Sequence, residues 1–252
     1  MKLEGITQEF GGLRALDGVD LEITRGEIFG VIGPNGAGKT TLFNIITGIY
    51  VPTAGNLIFN GQKINGFPPY KIASLGIART FQNIRLFNRL SVEDNVKIGT
   101  FGLEKISFWG SLLGLPVEKK AEREAKEKSD RFLQMLGLYE KRHEYAASLS
   151  YGEQRRLEIA RALALDPVLL LLDEPAAGMN PAEKEELMDL IRKIRDELKI
   201  TVLLVEHDMN LVMNICERIA VLDYGRKIAE GMPEEIKNDE RVIMSYLGDL
   251  GE

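Results

Sequence analysis

Residues 33–41 read "GPNGAGKTT", directly after the apolar run "GEIFGVIG" at 26–33. The pattern G-x-x-x-x-G-K-[ST] is filled by Gly33, Gly38, Lys39 and Thr40. Its placement is the one the chemistry needs. A strand leads into it, and a helix opens at Lys39 and runs to about Thr47, where "TGIYVPTAG" (47–55) breaks it. The loop Gly33, Pro34, Asn35, Gly36, Ala37, Gly38, Lys39, Thr40, Thr41 is therefore expected to cradle phosphate. Its glycines let backbone N–H groups converge on phosphate oxygens, and the helix N-terminus adds a favourable field. Lys39 can reach the outer phosphates, and the Thr40 hydroxyl is placed to coordinate Mg²⁺.

Around this loop the chain reads as α/β. "LDGVDLEI" (16–23) alternates with period two, and "NLIFNGQKI" (56–64) forms two strand pieces around the turn pair Asn60-Gly61. Beyond residue 163, "PVLLLLDEP" (167–175) is a buried strand and "NPAEKEELMDLIRKIRDELK" (180–199) a helix. "ITVLLVEHD" (200–208) is another strand, and "RIAVLDYGRKIAEG" (218–231) a hairpin turning at Tyr224-Gly225. Strands separated by helices predict a mostly parallel sheet with flanking helices, preceded by an N-terminal antiparallel portion. Between them, roughly 85–162, β-branched runs give way to helical patterns. "PVEKKAEREAKEKSDRFLQMLGL" (116–138) places Glu122 and Glu124 four residues before Lys126 and Lys128 and closes at Gly137. "FGLEKISFWGSLLGLP" (101–116) gathers Phe101, Phe108, Trp109, Leu112 and Leu113 into an apolar cluster, either local core or a patch that docks on a partner.

Composition bounds the function. The 252 residues suffice for a sizeable core. A net charge of −6 argues against a nucleic-acid partner. The single cysteine, Cys216, excludes an internal disulfide framework and fits a reducing cytosol. The aliphatic run at 168–172 is far short of the ~20 residues a membrane span requires.

Asp173 ends a buried strand, where α/β folds bind ligands, and Glu174 adds a second carboxylate. One can hold the metal while the other polarises an attacking water as general base. His207 leaves the strand "TVLLVEH" at the same expected sheet edge and could hydrogen-bond a γ-phosphate. Gln82, in "GIARTFQNIRLF" (76–87), stands at the junction of core and helical insertion. Its amide could ligate Mg²⁺ or orient water, or it could be an ordinary surface side chain. Phe10, before Gly11-Gly12, could stack on an adenine face or pack in the core. Finally "LSYGEQ" (149–154) places a polar cluster at a helix start more than a hundred residues after the phosphate loop.

Taken in order, Phe10, the loop 33–41, Gln82, "LSYGEQ", "LLLLDEP" (169–175), "AAGMN" (176–180) and His207 resemble the ATP-binding cassette (ABC) ATPase family over nearly the whole chain. The resemblance implies a P-loop NTPase core, 1–84 and 163–252, with an inserted α-helical subdomain, 85–162, in one ABC ATPase domain. It implies ATP and Mg²⁺ as ligands, Glu174 as catalytic base, and Gln82 and His207 as sensors of γ-phosphate and metal, with Thr40, Gln82 and Asp173 about the metal. It also implies that Leu149, Ser150, Tyr151, Gly152 and Glu153 bind the ATP of a second, homologous subunit in a head-to-tail dimer. Here Tyr151-Gly152 stands where the family has Gly-Gly, and Glu153 where it has Gln. "GIARTFQNIRLFNRLSVEDNV" (76–96), "VEHDMNLVM" (205–213) and "GMPEEIKNDERVIMSYLG" (231–248) look like the LivG type of branched-chain amino acid importers. That likeness implies membrane-spanning permease partners, an indirect substrate-binding protein and a place on the cytoplasmic face of the membrane. The ATPase of a lipopolysaccharide-type exporter, of another amino acid, amide or urea uptake system, or of a soluble non-transport system are the alternatives.

Overall fold

Strands that are apolar along nearly their whole length must be covered on both faces. In the computed structural model three such strands lie side by side: β3 (Ile28–Ile32), β7 (Leu169–Asp173) and β8 (Thr201–Val205), all buried along their whole length. The structure describes residues 1–101 and 116–247, so the apolar cluster read at 101–116 lies, but for its ends, outside them. Among the described residues the strands form two sheets. The larger has the order β10 (Arg226–Gly231), β9 (Arg218–Asp223), β3, β8, β7, β6 (Ile77–Arg79). Neighbours are parallel except in the β9–β10 hairpin. Its turn residues Tyr224 and Gly225 both take positive φ, 42° and 77°, as a two-residue hairpin loop requires. The edge strand β6 was not anticipated, because "IAR" is too short to show a period.

The smaller sheet is antiparallel, in the order β2 (Leu13–Glu22), β1 (Lys2–Phe10), β4 (Ala54–Phe59), β5 (Gln62–Lys63). Helix α1 (Lys39–Ile46) buries Leu42, Phe43, Ile45 and Ile46 in one cluster with Leu3, Ile6 and Leu16 of this sheet and Val31, Leu171 and Leu203 of the other. Helix α6 (Pro181–Leu198) starts with proline in its first turn and a capping box between Asn180 and Glu183, and it buries Leu187, Ile191 and Ile194 on one stripe. Short helices α2 (Pro69–Ser74), α7 (Met209–Ile215), α8 (Pro233–Lys237) and α9 (Glu240–Leu247) complete this part. None of the described helices is long and apolar enough to cross a membrane.

The chain divides into two units, Met1–Arg79 with Val168–Glu252, and Thr80–Pro167. The second contains α3 (Val92–Phe101), α4 (Pro116–Met135) and α5 (Tyr151–Leu163). On α4, Ala125, Ser129, Phe132, Leu133 and Leu136 at and just beyond its end are buried at helical spacing, and Gly137 follows with φ of 68°. The i,i+4 pairs that form are Lys120–Glu124 and Arg123–Glu127, whereas Lys128 turns away from Glu124 to meet Asp166. The unit boundary falls at Arg79, a few residues before the sequence-based one. Phe81, Gln82 and Arg85 are hydrogen-bonded to side chains of α5, which carries Gln82 with the helices.

Candidate nucleotide-binding site

Register brings the chemistry to one edge. Val205 on β8 pairs with Val31 on β3 and with Asp173 on β7. The three strands are parallel, so the phosphate loop after β3, Glu174 after β7 and His207 after β8 all leave the same end of the sheet. That is where ligands bind in such folds.

The phosphate loop is shaped by glycines that no other residue could replace. Gly33 has φ of 152°, and a Cβ there would sit 2.1 Å from the Leu222 carbonyl oxygen. Gly38 has φ of 102°, and its Cβ would lie 2.7 Å from the Ala15 carbonyl oxygen. The buried Lys39 ammonium donates to the Gly33 and Pro34 carbonyls at 2.6 and 2.9 Å, so the loop curls around its own cation. The β9–β10 turn braces it, with Gly225 N–H donating to the Ala37 carbonyl at 3.1 Å and Asp17 N–H to the Gly225 carbonyl at 2.8 Å. Helix α1 has Gly38 at its N-cap, no side-chain cap and no acid in its first turn, which leaves the positive end of its dipole uncompensated. Asn35, Gly36 and Thr40 are exposed and Thr41 half-buried.

Asp173 is buried and receives Arg79 Nη2 at 2.7 Å, with both side chains only 6% exposed. The same guanidinium donates through Nη1 to Asn44 Oδ1 at 2.7 Å and Thr47 Oγ1 at 3.3 Å, tying the acid to α1. Glu174 takes positive φ, 46°, a conformation that costs a non-glycine residue about 1 kcal/mol, and its N–H donates to the Val205 carbonyl at 2.9 Å. That turn separates the two neighbouring carboxylates: Asp173 points into the Arg79 cluster, while Glu174 Oε2 lies 3.7 Å from Nδ1 of the exposed His207. Phe10, at the end of β1, is exposed and meets Tyr50 edge-on, centroids 5.2 Å apart.

Three residues with structural parts in the site were not singled out from sequence. Arg79 is one. Tyr50, which doubles the aromatic surface at Phe10, is another. The third is Glu206, fully buried, which accepts from Ala176 N–H at 2.8 Å, His207 N–H at 3.1 Å and Asp208 N–H at 3.4 Å. It joins the "AAGMN" segment to the His207 loop. Burial pushes its carboxyl above the ordinary carboxylate value, against those N–H groups. Its signal in the sequence is a lone acid closing the apolar strand "TVLLV".

Gln82 and the "LSYGEQ" segment lie in the helical unit. Gln82 is exposed. Ser150 is the N-cap of α5, and its hydroxyl and backbone form a capping box with Glu153. Glu153 also meets Lys141 at 2.7 Å, which holds its carboxyl below the usual range. Leu149 is buried, Gly152 half-buried, and Tyr151 exposed.

A glycine-shaped phosphate loop, a lysine within it and carboxylates at the same edge of a parallel sheet define a nucleotide-binding α/β ATPase. The comparisons give the particular family: the ABC transporter model matches residues 16–177, and the chain belongs to the ABC transporter family of ATP-binding proteins. A second model, described as a branched-chain amino acid ATP-binding cassette transporter, matches residues 226–250. The chain is 44% identical to the high-affinity branched-chain amino acid transport ATP-binding protein LivG of Escherichia coli, over 99% of this chain and 98% of that one. Among solved structures it is similar to the ADP conformation of the cassette MJ1267, with a TM-score of 0.86 and 32% identity over 98% of both chains. It is also similar to the cassette MJ0796 in a dimeric post-hydrolysis state bound to ADP and Pi, with a TM-score of 0.77 and 29% identity over 92% of this chain and 98% of that one.

Proposed function

We propose that this ATPase powers a branched-chain amino acid importer from the cytoplasmic face of the membrane, bound to membrane-spanning permease subunits and served indirectly by a substrate-binding protein. The family match at 226–250 and the full-length similarity to LivG support that substrate. The mechanistic reading rests on one observation, the shared register at Val205 that aligns the exits of β3, β7 and β8.

ATP would lie along the loop 33–41 with its base against Phe10. Lys39 would exchange its two loop carbonyls for phosphate oxygens. The hydroxyl of Thr40 and the carboxylate of Asp173 are hard oxygen donors of the kind Mg²⁺ takes, so these residues fit the ion, and the amide oxygen of Gln82 is a donor of the same chemistry. When bound, Mg²⁺ would neutralise charge on the outer phosphates. Glu174, beside His207, would accept a proton from the attacking water, and His207 would donate to the γ-phosphate. The site would be completed by a homologous subunit, whose Ser150 hydroxyl and N–H groups around Gly152 at a helix start suit an anion. The dimeric form of the similar cassette MJ0796 supports this arrangement.

The decisive variant is Glu174→Gln. Turnover of Mg-ATP should fall by about 10²–10⁴-fold with ATP affinity kept. Hydrolysis at the unmodified rate would remove Glu174 from the role of base.

A further inference from the structure

Among the described residues the largest fully buried side chain is Arg155, on α5 five positions after Ser150. A cation hidden that completely needs partners, and its two terminal nitrogens find them on its own helix and on one short segment, while its Nε is left without one. Nη1 donates to the Phe81 carbonyl at 2.6 Å and to Glu158 Oε2 at 2.9 Å. Nη2 donates to the Gln82 carbonyl at 2.7 Å and to the Tyr151 hydroxyl at 3.3 Å, and the guanidinium stands 5.9 Å from the Tyr151 ring centre. Glu158, one helical turn beyond, takes the other half of the same segment: its Oε1 accepts from the N–H groups of Phe81 and Arg85, each at 3.3 Å. Phe81 is thus held at both its N–H and its C=O by one helix. The backbone of Gln82, held at its own carbonyl and lying between the anchored Phe81 and Arg85, is fixed to that helix.

We propose that Arg155 and Glu158 are positioning residues that fix the backbone of Gln82 to the helix whose start carries Ser150 and Gly152, with Tyr151 as the exposed end of the link. A contact made on the face of α5 that presents Ser150, Tyr151 and Gly152 is then felt at Gln82 without any change elsewhere in the chain. The same geometry accounts for Tyr151 at a position where the family has glycine. The residue stands 46% exposed, while its hydroxyl rests on the buried cation, so a surface arriving at the start of α5 presses directly on the clamp. The inference rests on the reading of Gln82 and of the 149–153 segment given above.

The test uses the full chain and Mg-ATP. Arg155→Lys keeps the charge, but one ammonium cannot span two carbonyls, a carboxylate and a hydroxyl. It should speed amide exchange at Phe81 and Arg85, leave KM for ATP unchanged, and lower kcat by about ten- to a hundredfold, as a small misplacement of a reacting group does. Tyr151→Phe removes a single hydrogen bond and should lower kcat by about two- to tenfold at unchanged KM. Combined with Arg155→Lys it should add nothing further. Faster exchange with kcat intact would reduce Arg155 to packing and overturn the proposal, as would a double variant whose loss is the product of the two singles. If Arg155→Lys does not fold, Tyr151→Phe decides alone, and an unaltered kcat sinks the link. Gln82→Ala and Ser150→Ala serve as controls. Should neither lower kcat, it is the site reading that fails; should both do so while Arg155→Lys does not, only the clamp fails.

Discussion

Each of the two units hides an arginine paired with an acid, and the two pairs are built for different ends. Arg79 and Asp173 join neighbouring strands, and Arg79 reaches onward to Asn44 and Thr47 of the helix that follows the phosphate loop. Arg155 and Glu158 lie one turn apart on a single helix and grip backbone of a loop. In the first pair the acid is itself a candidate ligand for a metal, so its partner can be exchanged. In the second every charge is consumed internally. A buried pair is weak evidence for stability, because desolvation offsets the attraction, yet removing one member leaves a stranded charge at a cost of about 3–5 kcal/mol.

That difference predicts which loss a ligand can repair. Arg79→Met and Arg155→Met should both lower the unfolding free energy by about 3–5 kcal/mol in nucleotide-free protein. Saturating Mg-ATP should restore much of the loss for Arg79→Met, since the cation replaces the missing charge beside Asp173 and binds only the folded state. Arg155→Met should gain no more from Mg-ATP than the unmodified protein does. Urea unfolding of the two variants with and without Mg-ATP checks this, and equal rescue of both would erase the distinction between the pairs.

The comparison also explains what the sequence could and could not announce. The α/β unit was legible because its candidate site residues sit at or just past strand ends: Gly33 to Thr41, Asp173, Glu174 and His207 each follow an apolar run that marks its own position. Turn chemistry made the hairpins at Asn60-Gly61 and Tyr224-Gly225 equally plain. The helical unit announced only its helices and the cap at Ser150. Arg155 and Glu158 read as two more charges in a polar helix, and their burial depends on a loop that arrives from seventy residues away. Arg79 was hidden for a similar reason, since a three-residue edge strand gives no period and its acid lies 94 positions later. The i,i+4 spacing suggested the wrong partner for Lys128, because tertiary proximity to Asp166 outweighs a local pairing worth only a few tenths of a kcal/mol.

A smaller effect separates Glu206 from the charged pairs. It is buried with three N–H donors, its Oε2 lies 3.8 Å from Nδ1 of His207, and its folded-state pKa is raised by burial. A raised carboxyl binds its proton more tightly when folded. Its contribution to stability is therefore present below the unfolded carboxyl value, about 4.3, and is lost as pH rises through the folded value. Glu206→Gln cannot titrate, so the difference in unfolding free energy between variant and unmodified protein should shift in the variant's favour as pH rises through that window. The limit is about 1.4 kcal/mol per pH unit. Chemical denaturation between pH 4 and 8 measures it, and a pH-independent difference would mean that the three N–H groups hold the carboxyl at its ordinary value.

The smallest effect falls at the start of α5, where the two roles of Ser150 can be pulled apart. Its hydroxyl accepts from Glu153 N–H, and its own N–H donates to Glu153 Oε2, so the side chain caps the helix. Ser150→Ala should cost about 1 kcal/mol of stability and Ser150→Gly only a few tenths, because glycine suits an N-cap without offering a cap of its own. If the hydroxyl serves only the helix, activity should follow stability, with glycine nearly normal and alanine impaired. If it also touches the phosphate of a second subunit, both variants lose the same contact, and kcat should fall equally in both while their stabilities differ. Paired melting curves and ATPase rates for the two variants distinguish these outcomes. The reading proposed for the 149–153 segment requires the second.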